Sequence, residues 1–298
     1  MKSKTHLVAF IDILGFKNLV DNHFSGKDKT SLTFLKESLK KAEAIGINFS
    51  KGYLKQFNYK FSFRQFSDCV SISMPFKRIE ANTIPVVCSF MSVVQLYQSI
   101  LLNNSILVRG GISIGGHFEN SNTIFSDGLV KAYNIEAHRA IYPRIVIDGE
   151  ILSLLNDTFK KMPNKYSEFY DYYGHIFIMD WDDEVFITPF DLTSKFELIE
   201  NRYGKEKIKE FIFEGLKNSK TKFDLPNDFM EDFILNYNET LDLKAKLEKV
   251  DEYIINNKNG KAEILLKFKW LKQFIIWNLT PQESAIKFEY FYKKDTFY

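Results

Sequence analysis

The sequence predicts an α+β sandwich, with helices packed on a mixed, mainly antiparallel sheet, followed by a C-terminal helical segment. Three observations predict it. Residues 6–15, "HLVAFIDILG", form an apolar run bounded by polar "KSKT" and Gly15, too short for a buried helix and suited to a central strand. From there to about residue 160, stretches with period-2 and period-3.6 apolar patterns take turns along the chain. Beyond about residue 195 only the helical period remains, in long charged segments.

The first strand turns at Gly15 into a helical stretch. "KTSLTFLKESLKKAEA" (29–44) follows as an amphipathic helix, with apolar residues at helical spacing and no β-branched run. "KFSFRQFSDCVSISM" (60–74) alternates as strands do, with a hairpin turn at Ser67 and Asp68. "VVCSFMSVVQLYQSILLNN" (86–104) reads as a buried helix ending at its two asparagines, and "ILVRGGISIGG" (106–116) as a strand punctuated by glycines where backbone packs closely. "SDGLVKAYNIEAHRA" (126–140) is a helix capped by Ser126 or Asp127, "PRIVID" a strand and "GEILSLLNDTF" a helix. The predicted division is 1–194 for the mixed domain and 195–298 for the helical segment, which includes "LNYNETLDLKAKLEKVDEYIINN" and "KAEILLKFKWLKQFIIWN".

Composition narrows the function classes. In 298 residues, 40 Lys and Arg balance 38 Asp and Glu, a formal charge of +2. Nothing global therefore calls for a nucleic acid or an anionic membrane as partner, and any phosphate binding must be local. Two cysteines, Cys69 and Cys88, argue against a disulfide framework, exclude a cysteine-built metal centre by count, and fit a reducing cytoplasm. The longest candidate membrane segment, "LVAFIDILGF", has ten residues with a charge among them, against the ~20 a spanning helix needs. A cytoplasmic protein with no membrane contact is expected. The five histidines show no metal-ligand spacing, and neither a Walker-type loop nor a G-x-S-x-G elbow is present.

Two aspartates carry the chemistry. An ionised carboxylate inside a buried strand costs several kcal/mol unless a cation or a set of donors meets it, and no basic residue near Asp12 in sequence faces it at short range. Asp68, between the small residues Ser67 and Cys69, is a second strand-end carboxylate. The turn at Gly15 adds backbone N–H groups able to cradle phosphate oxygens. Two carboxylates beside such a cradle suit divalent ions held against a triphosphate, because Mg²⁺ takes one or two carboxylates plus phosphate oxygens.

The pair sits inside longer matches. "FIDILGF", "FSDCVSIS", "LVRGGISIGG" and "GLVKAYNIEAHRAIYPRIVI" resemble, in this order, the first metal-binding segment, the second metal-binding hairpin, the following strand and the closing helix and strand of class III nucleotidyl cyclases. The resemblance covers about residues 6–190, and its phrasing is most similar to the bacterial pyrimidine cyclases of the anti-phage Pycsar systems. It implies a ferredoxin-like catalytic core working as a head-to-tail homodimer with composite active sites, each bearing two Mg²⁺ or Mn²⁺ ions, that makes cyclic UMP or cyclic CMP from UTP or CTP.

By this resemblance Asp12, Asp68 and the carbonyl of Ile13 would hold the ions, and the amides of Leu14, Gly15 and Phe16 the phosphates. Arg64, four residues before Asp68, stands where the family selects the base. Four residues span ~13 Å on a strand, so Arg64 would serve the partner's site. Its donors suit the carbonyl oxygens of a pyrimidine or of guanine. Phe125, at the family's second base-contacting position, makes no hydrogen bond and would form an aromatic wall. The family's Asn and Arg that orient the ribose and stabilise the pentavalent phosphate fall here on Ala132 and Glu136, which do neither. Asn134 and Arg139 lie close by at altered spacing and are the substitutes, with Arg144, Tyr133 and Arg109 as further candidates. Failing these, the resemblance implies a domain that binds metal and nucleotide without turnover.

Overall fold

The computed structural model of the chain describes residues 4–53, 60–161, 176–180, 182–189, 243–258 and 260–279. The chain divides into two compact units, the first reaching Pro189 and the second covering Phe190–Ile286.

The first unit is built on β1 (Lys4–Ile13), whose Leu7, Ala9, Ile11 and Ile13 are buried along one face. Gly15 ends the strand with φ of 81°, a left-handed conformation that an L side chain strains to adopt, and α1 (Phe16–Phe24) starts directly after it. The Asp28 carboxylate accepts from the N–H groups of Thr30 and Ser31 and so opens α2 (Ser31–Tyr53), which runs further than its sequence pattern suggests. β2 (Ser62–Phe66) and β3 (Cys69–Pro75) form the predicted hairpin, and Ser67, with φ of 54°, takes the turn position that demands a positive φ.

α3 (Glu80–Asn103) begins six residues before the predicted "VVCSF" stretch. It is the one described helix long and apolar enough to cross a membrane, and it is buried as the core helix, against α2 and under the sheet. β4 (Val108–Glu119) carries the glycines, and β5 (Ile124–Ser126) folds back on its end. α4 (Asp127–His138) is capped by Ser126, whose hydroxyl accepts from the Leu129 N–H at 2.9 Å. β6 (Ile145–Ile147) and α5 (Gly149–Lys161) follow as predicted. β7 (Phe177–Met179) and β8 (Val185–Ile187) add a hairpin that the sequence did not announce, because three-residue strands carry too little period to be seen.

The strands order as β2-β3-β1-β4-β6-β8-β7, with β5 beside β4. Among the described strands only β4 and β6 run parallel, so the sheet is mixed and mainly antiparallel, and β1 lies at its centre between β3 and β4. The order 2-3-1-4 with helices after β1 and β3 is the βαββαβ arrangement expected of a ferredoxin-like core. The two faces are distinguished by period: Phe63 of β2 meets Tyr97 of α3, whereas Gly111 and Gly115 of β4 meet α4. Asp12, Cys69 and Arg109 belong to the α4 face, since Asp12 is in register with both others and Arg109 is two residues from Gly111.

In the second unit α6 (Leu243–Asn256) and α7 (Ala262–Leu279) pair, with Tyr253 stacked on Phe268 at 3.8 Å and Lys272 bonded to Asp251 at 2.5 Å. The expected helical content of 195–242 and 280–298 falls outside the described residues.

A Cβ on Gly111 would sit 2.3 Å from the Ala132 carbonyl oxygen and 2.6 Å from Ile135, so α4 approaches β4 only because residue 111 has no side chain. Gly111→Ala is expected to destabilise the fold by about 1–3 kcal/mol in urea unfolding. Gly149→Ala, at the open start of α5 with nothing within 4 Å, is expected to be neutral or slightly stabilising.

Candidate active site

The residues that end β1 and those that turn between β2 and β3 are tied together by one backbone bond, Ile13 N–H to the Asp68 carbonyl at 3.0 Å. That bond sets the Asp68 side chain beside Asp12. One ligand atom from each of Asp12, Asp68 and Cys69 lies within 4.8 Å of the others, the one such group of metal-binding side chains among the described residues. Two carboxylates and a thiol on half-buried positions fit a divalent cation.

The Cys69 sulfur stands 3.4 Å from Asp68 Oδ1 and 3.8 Å from Asp12 Oδ1, so both oxygens face the same space. Burial pushes the thiol up to about 12, helped by the charge of Asp68 and its hydrogen bond, so Cys69 is a neutral thiol in the ion-free protein.

Asp12 is also met from the other side. Arg109, directly opposite on β4, donates from Nε to Asp12 Oδ2 at 3.2 Å. Its terminal nitrogen reaches Glu136 Oε1 of α4 at 2.6 Å. The Glu136 side chain is 4% exposed and that of Arg109 25%, so the guanidinium bridges a deeply buried carboxylate and a partly buried one. This is the cation the buried strand carboxylate requires. Neither partner was assigned to Asp12 from sequence, although the signals were present. Glu136 falls on the same helical stripe as Gly128, Ala132 and Ile135, all buried, and an arginine in mid-strand on the neighbouring element could answer it.

Next to this group, the N–H groups of Gly15, Phe16 and Lys17 come before the first intrahelical bond, Asn18 N–H to the Gly15 carbonyl. Leu14 differs from its expected role: its N–H donates to the Leu107 carbonyl at 2.9 Å and fixes β1 against β4. The amides that remain at the start of α1 are therefore those of Gly15, Phe16 and Lys17.

The other expected residues have partners elsewhere in the chain. Arg64 donates from Nε to Glu119 and from a terminal nitrogen to the Asn120 carbonyl at 3.0 Å. Glu119 also accepts from Ser62 at 2.6 Å and contacts His117 at 3.2 Å. Burial alone would raise its pKa, and these donors outweigh burial and lower it. Phe125, 59% exposed, stacks on Phe118. Asn134 is on the exposed surface of α4, while Tyr133 meets Phe10 edge-on at 5.4 Å. Arg139 forms a two-pronged pair with Glu184, at 2.9 and 2.6 Å, which raises its pKa, and the fully buried Arg144 lies between Asp180 and Asp182. Both guanidiniums thus clamp the β7–β8 hairpin.

No protein-family model matches the chain, and no curated protein matches it. Among solved structures, a bacterial light-regulated adenylyl cyclase is 14% identical with a TM-score of 0.32, over 51% of this chain and 45% of that one. The guanylyl cyclase Cya2 is 11% identical with a TM-score of 0.29, over 52% of this chain and 79% of its own. A class III adenylyl cyclase-like ATP-binding protein from Pseudomonas aeruginosa is 11% identical with a TM-score of 0.32, covering 51% and 35%. The chain thus spans less than half the length of the first of these. At such scores the likeness decides nothing about activity, which rests on the site itself.

The convergence of Asp68 on Cys69 has a direct chemical readout. Cys69 is expected to resist iodoacetamide at pH 8 in the folded protein. Asp68→Asn, which removes the adjacent charge and weakens the hydrogen bond, is expected to speed alkylation several-fold, followed by mass spectrometry.

Proposed function

We propose that the chain is a nucleotidyl cyclase that converts a pyrimidine nucleoside triphosphate, UTP or CTP, to the 3′,5′-cyclic nucleotide and pyrophosphate. The observation that carries this reading is the convergence of Asp12 and Asp68, from two neighbouring β-elements, beside the N-terminus of α1. In the reaction the 3′-hydroxyl oxygen attacks the α-phosphorus, its proton passes to water, the bond to the bridging oxygen breaks, and pyrophosphate leaves. Mg²⁺ or Mn²⁺, held by Asp12, Asp68 and the Ile13 carbonyl, would supply Lewis-acid activation of the hydroxyl and neutralisation of the leaving group.

The chain's own residues do the rest. The N–H groups of Gly15, Phe16 and Lys17 bind phosphate oxygens with the favourable end of the α1 dipole behind them. Arg64 addresses the carbonyl oxygens of the base through the terminal nitrogen that Glu119 and Asn120 leave over, in the site of the second copy of a homodimer. The exposed ring of Phe125 gives a small base an apolar wall. The cyclic product fits a second-messenger role in anti-phage defence in the cytoplasm, by the same resemblance.

One observation favours a second reading, a domain that binds metal and nucleotide without turnover. The helix positions where the family places its ribose and phosphate groups hold Ala132, fully buried, and Glu136, and the substitute Arg139 would have to leave Glu184 to reach a substrate. The two readings separate in one assay. Purified protein with each of the four nucleoside triphosphates and Mn²⁺ is expected to yield a cyclic pyrimidine nucleotide, and Asp68→Ala to lower the yield at least a hundredfold. Thermal stabilisation by a triphosphate with no product from any of the four would establish the silent binding domain instead.

A further inference from the structure

We propose that Arg109 and Glu136 form a built-in control on divalent-ion affinity. Arg109 holds one oxygen of Asp12 and leaves the other for an ion, and Glu136 sets how firmly it does so. The inference rests on Asp12 and Asp68 being the metal ligands.

The division of Asp12 is geometric. Oδ1 faces Cys69 and Asp68 Oδ1, while Oδ2 accepts from Arg109 Nε at 3.2 Å. An ion entering between the aspartates therefore meets a carboxylate with one oxygen already engaged and a guanidinium charge behind it. Hydrogen bonds to a ligating carboxylate fix its orientation, and loss of such a partner commonly costs 10–100-fold in affinity; a cationic partner set against the ion adds a repulsion of opposite sign, which here dominates. The positive charge also repels the ion across a half-buried space where screening is weak.

Glu136 restrains that effect without touching the ion. Its side chain, buried in α4, takes the Arg109 terminal nitrogen at 2.6 Å, the shorter of the two contacts. Because the guanidinium is a rigid planar fork, its position on Asp12 depends on where Glu136 holds it. With Glu136 replaced by a neutral amide, the whole charge of Arg109 falls on Asp12. Glu136 is thus a positioning residue whose influence on the ion passes entirely through Arg109.

A double-mutant cycle on Mn²⁺ binding to the nucleotide-free protein, read by electron paramagnetic resonance, tests this without reference to turnover. Glu136→Gln is expected to weaken Mn²⁺ binding about tenfold, and the same substitution in an Arg109→Gln background to change it less than twofold. Arg109→Gln alone is expected to bind Mn²⁺ more tightly than the unaltered protein. If Glu136→Gln has no effect, or costs the same in both backgrounds, the proposal is wrong, the latter result making Glu136 itself a ligand. Should Arg109→Gln not fold, as a melting curve would reveal, the Arg109→Gln/Glu136→Gln double variant, which leaves Glu136 no longer an unpaired buried charge, is compared with the unaltered protein instead: tighter Mn²⁺ binding is again expected and unchanged binding refutes. Asp12→Ala and Asp68→Ala controls that bind Mn²⁺ as the unaltered protein does would instead remove the metal-site reading, and this inference with it.

Discussion

A carboxylate in the middle of a sheet needs a counter-charge, and the arrangement of this domain follows from how Asp12 receives one. Arg109 can meet it because β4 pairs with β1 in a register that sets residues 109 and 12 opposite each other. That register brings Gly111 under α4, where the missing side chain lets the helix settle close enough for Glu136 to take the other end of the guanidinium. A slip of one residue would turn Arg109 to the α3 face and leave two carboxylates unpaired in a poorly solvated space, at a cost of several kcal/mol. The pairing of strands, the packing of the helix and the charge balance of the site are thus one constraint met in three places.

The same face is polar at its other end. There Glu119 gathers Ser62, Arg64 and His117, and the His6 ring lies 4.6 Å from that of His117. Burial lowers the His6 pKa, so this end keeps a neutral imidazole beside a charged Arg64–Glu119 pair near pH 7. Between the two ends, the close contacts of Gly111 and Gly115 with α4 close the face over Val8 and Ser113. Asp12 and Arg64 therefore share one side of one sheet while each is committed to a different ion-pair network.

Much of this was legible in the sequence, and the gaps have physical causes. Period fixed the central strand, the hairpin at Ser67 and Asp68, the buried helix and the Ser126 cap, since each rests on local rules. The lengths of α2 and α3 were underestimated because flanking turns become helical through packing rather than propensity. Asp12 and Asp68 could be singled out because a charge in an apolar run is conspicuous. Arg109 and Glu136 were not joined to them because their partnership depends on strand register and on a helix docking between residues far apart in sequence. The commitment of the Leu14 amide to Leu107 is hidden in the same way, being a strand-pairing bond that continues one residue past the strand.

The charge at the site favours chemistry through bound cations. Among the described residues, Asp12 and Glu136 share Arg109 and Asp68 adds a further carboxylate beside Asp12, with Cys69 a neutral thiol, so the site carries an excess of negative charge. A nucleoside triphosphate entering alone would be repelled, and the partial positive charge of one helix end offsets only about half an elementary charge. Arg139 and Arg144, the nearest arginines in sequence, are spent on Glu184, Asp180 and Asp182. Divalent ions convert this deficit into an attraction, because each adds two charges at the point where carboxylate and phosphate oxygens meet. Under the proposed function, selectivity for a metal–nucleotide complex over the bare nucleotide would be set by the residues that make the site too acidic to hold phosphate by itself.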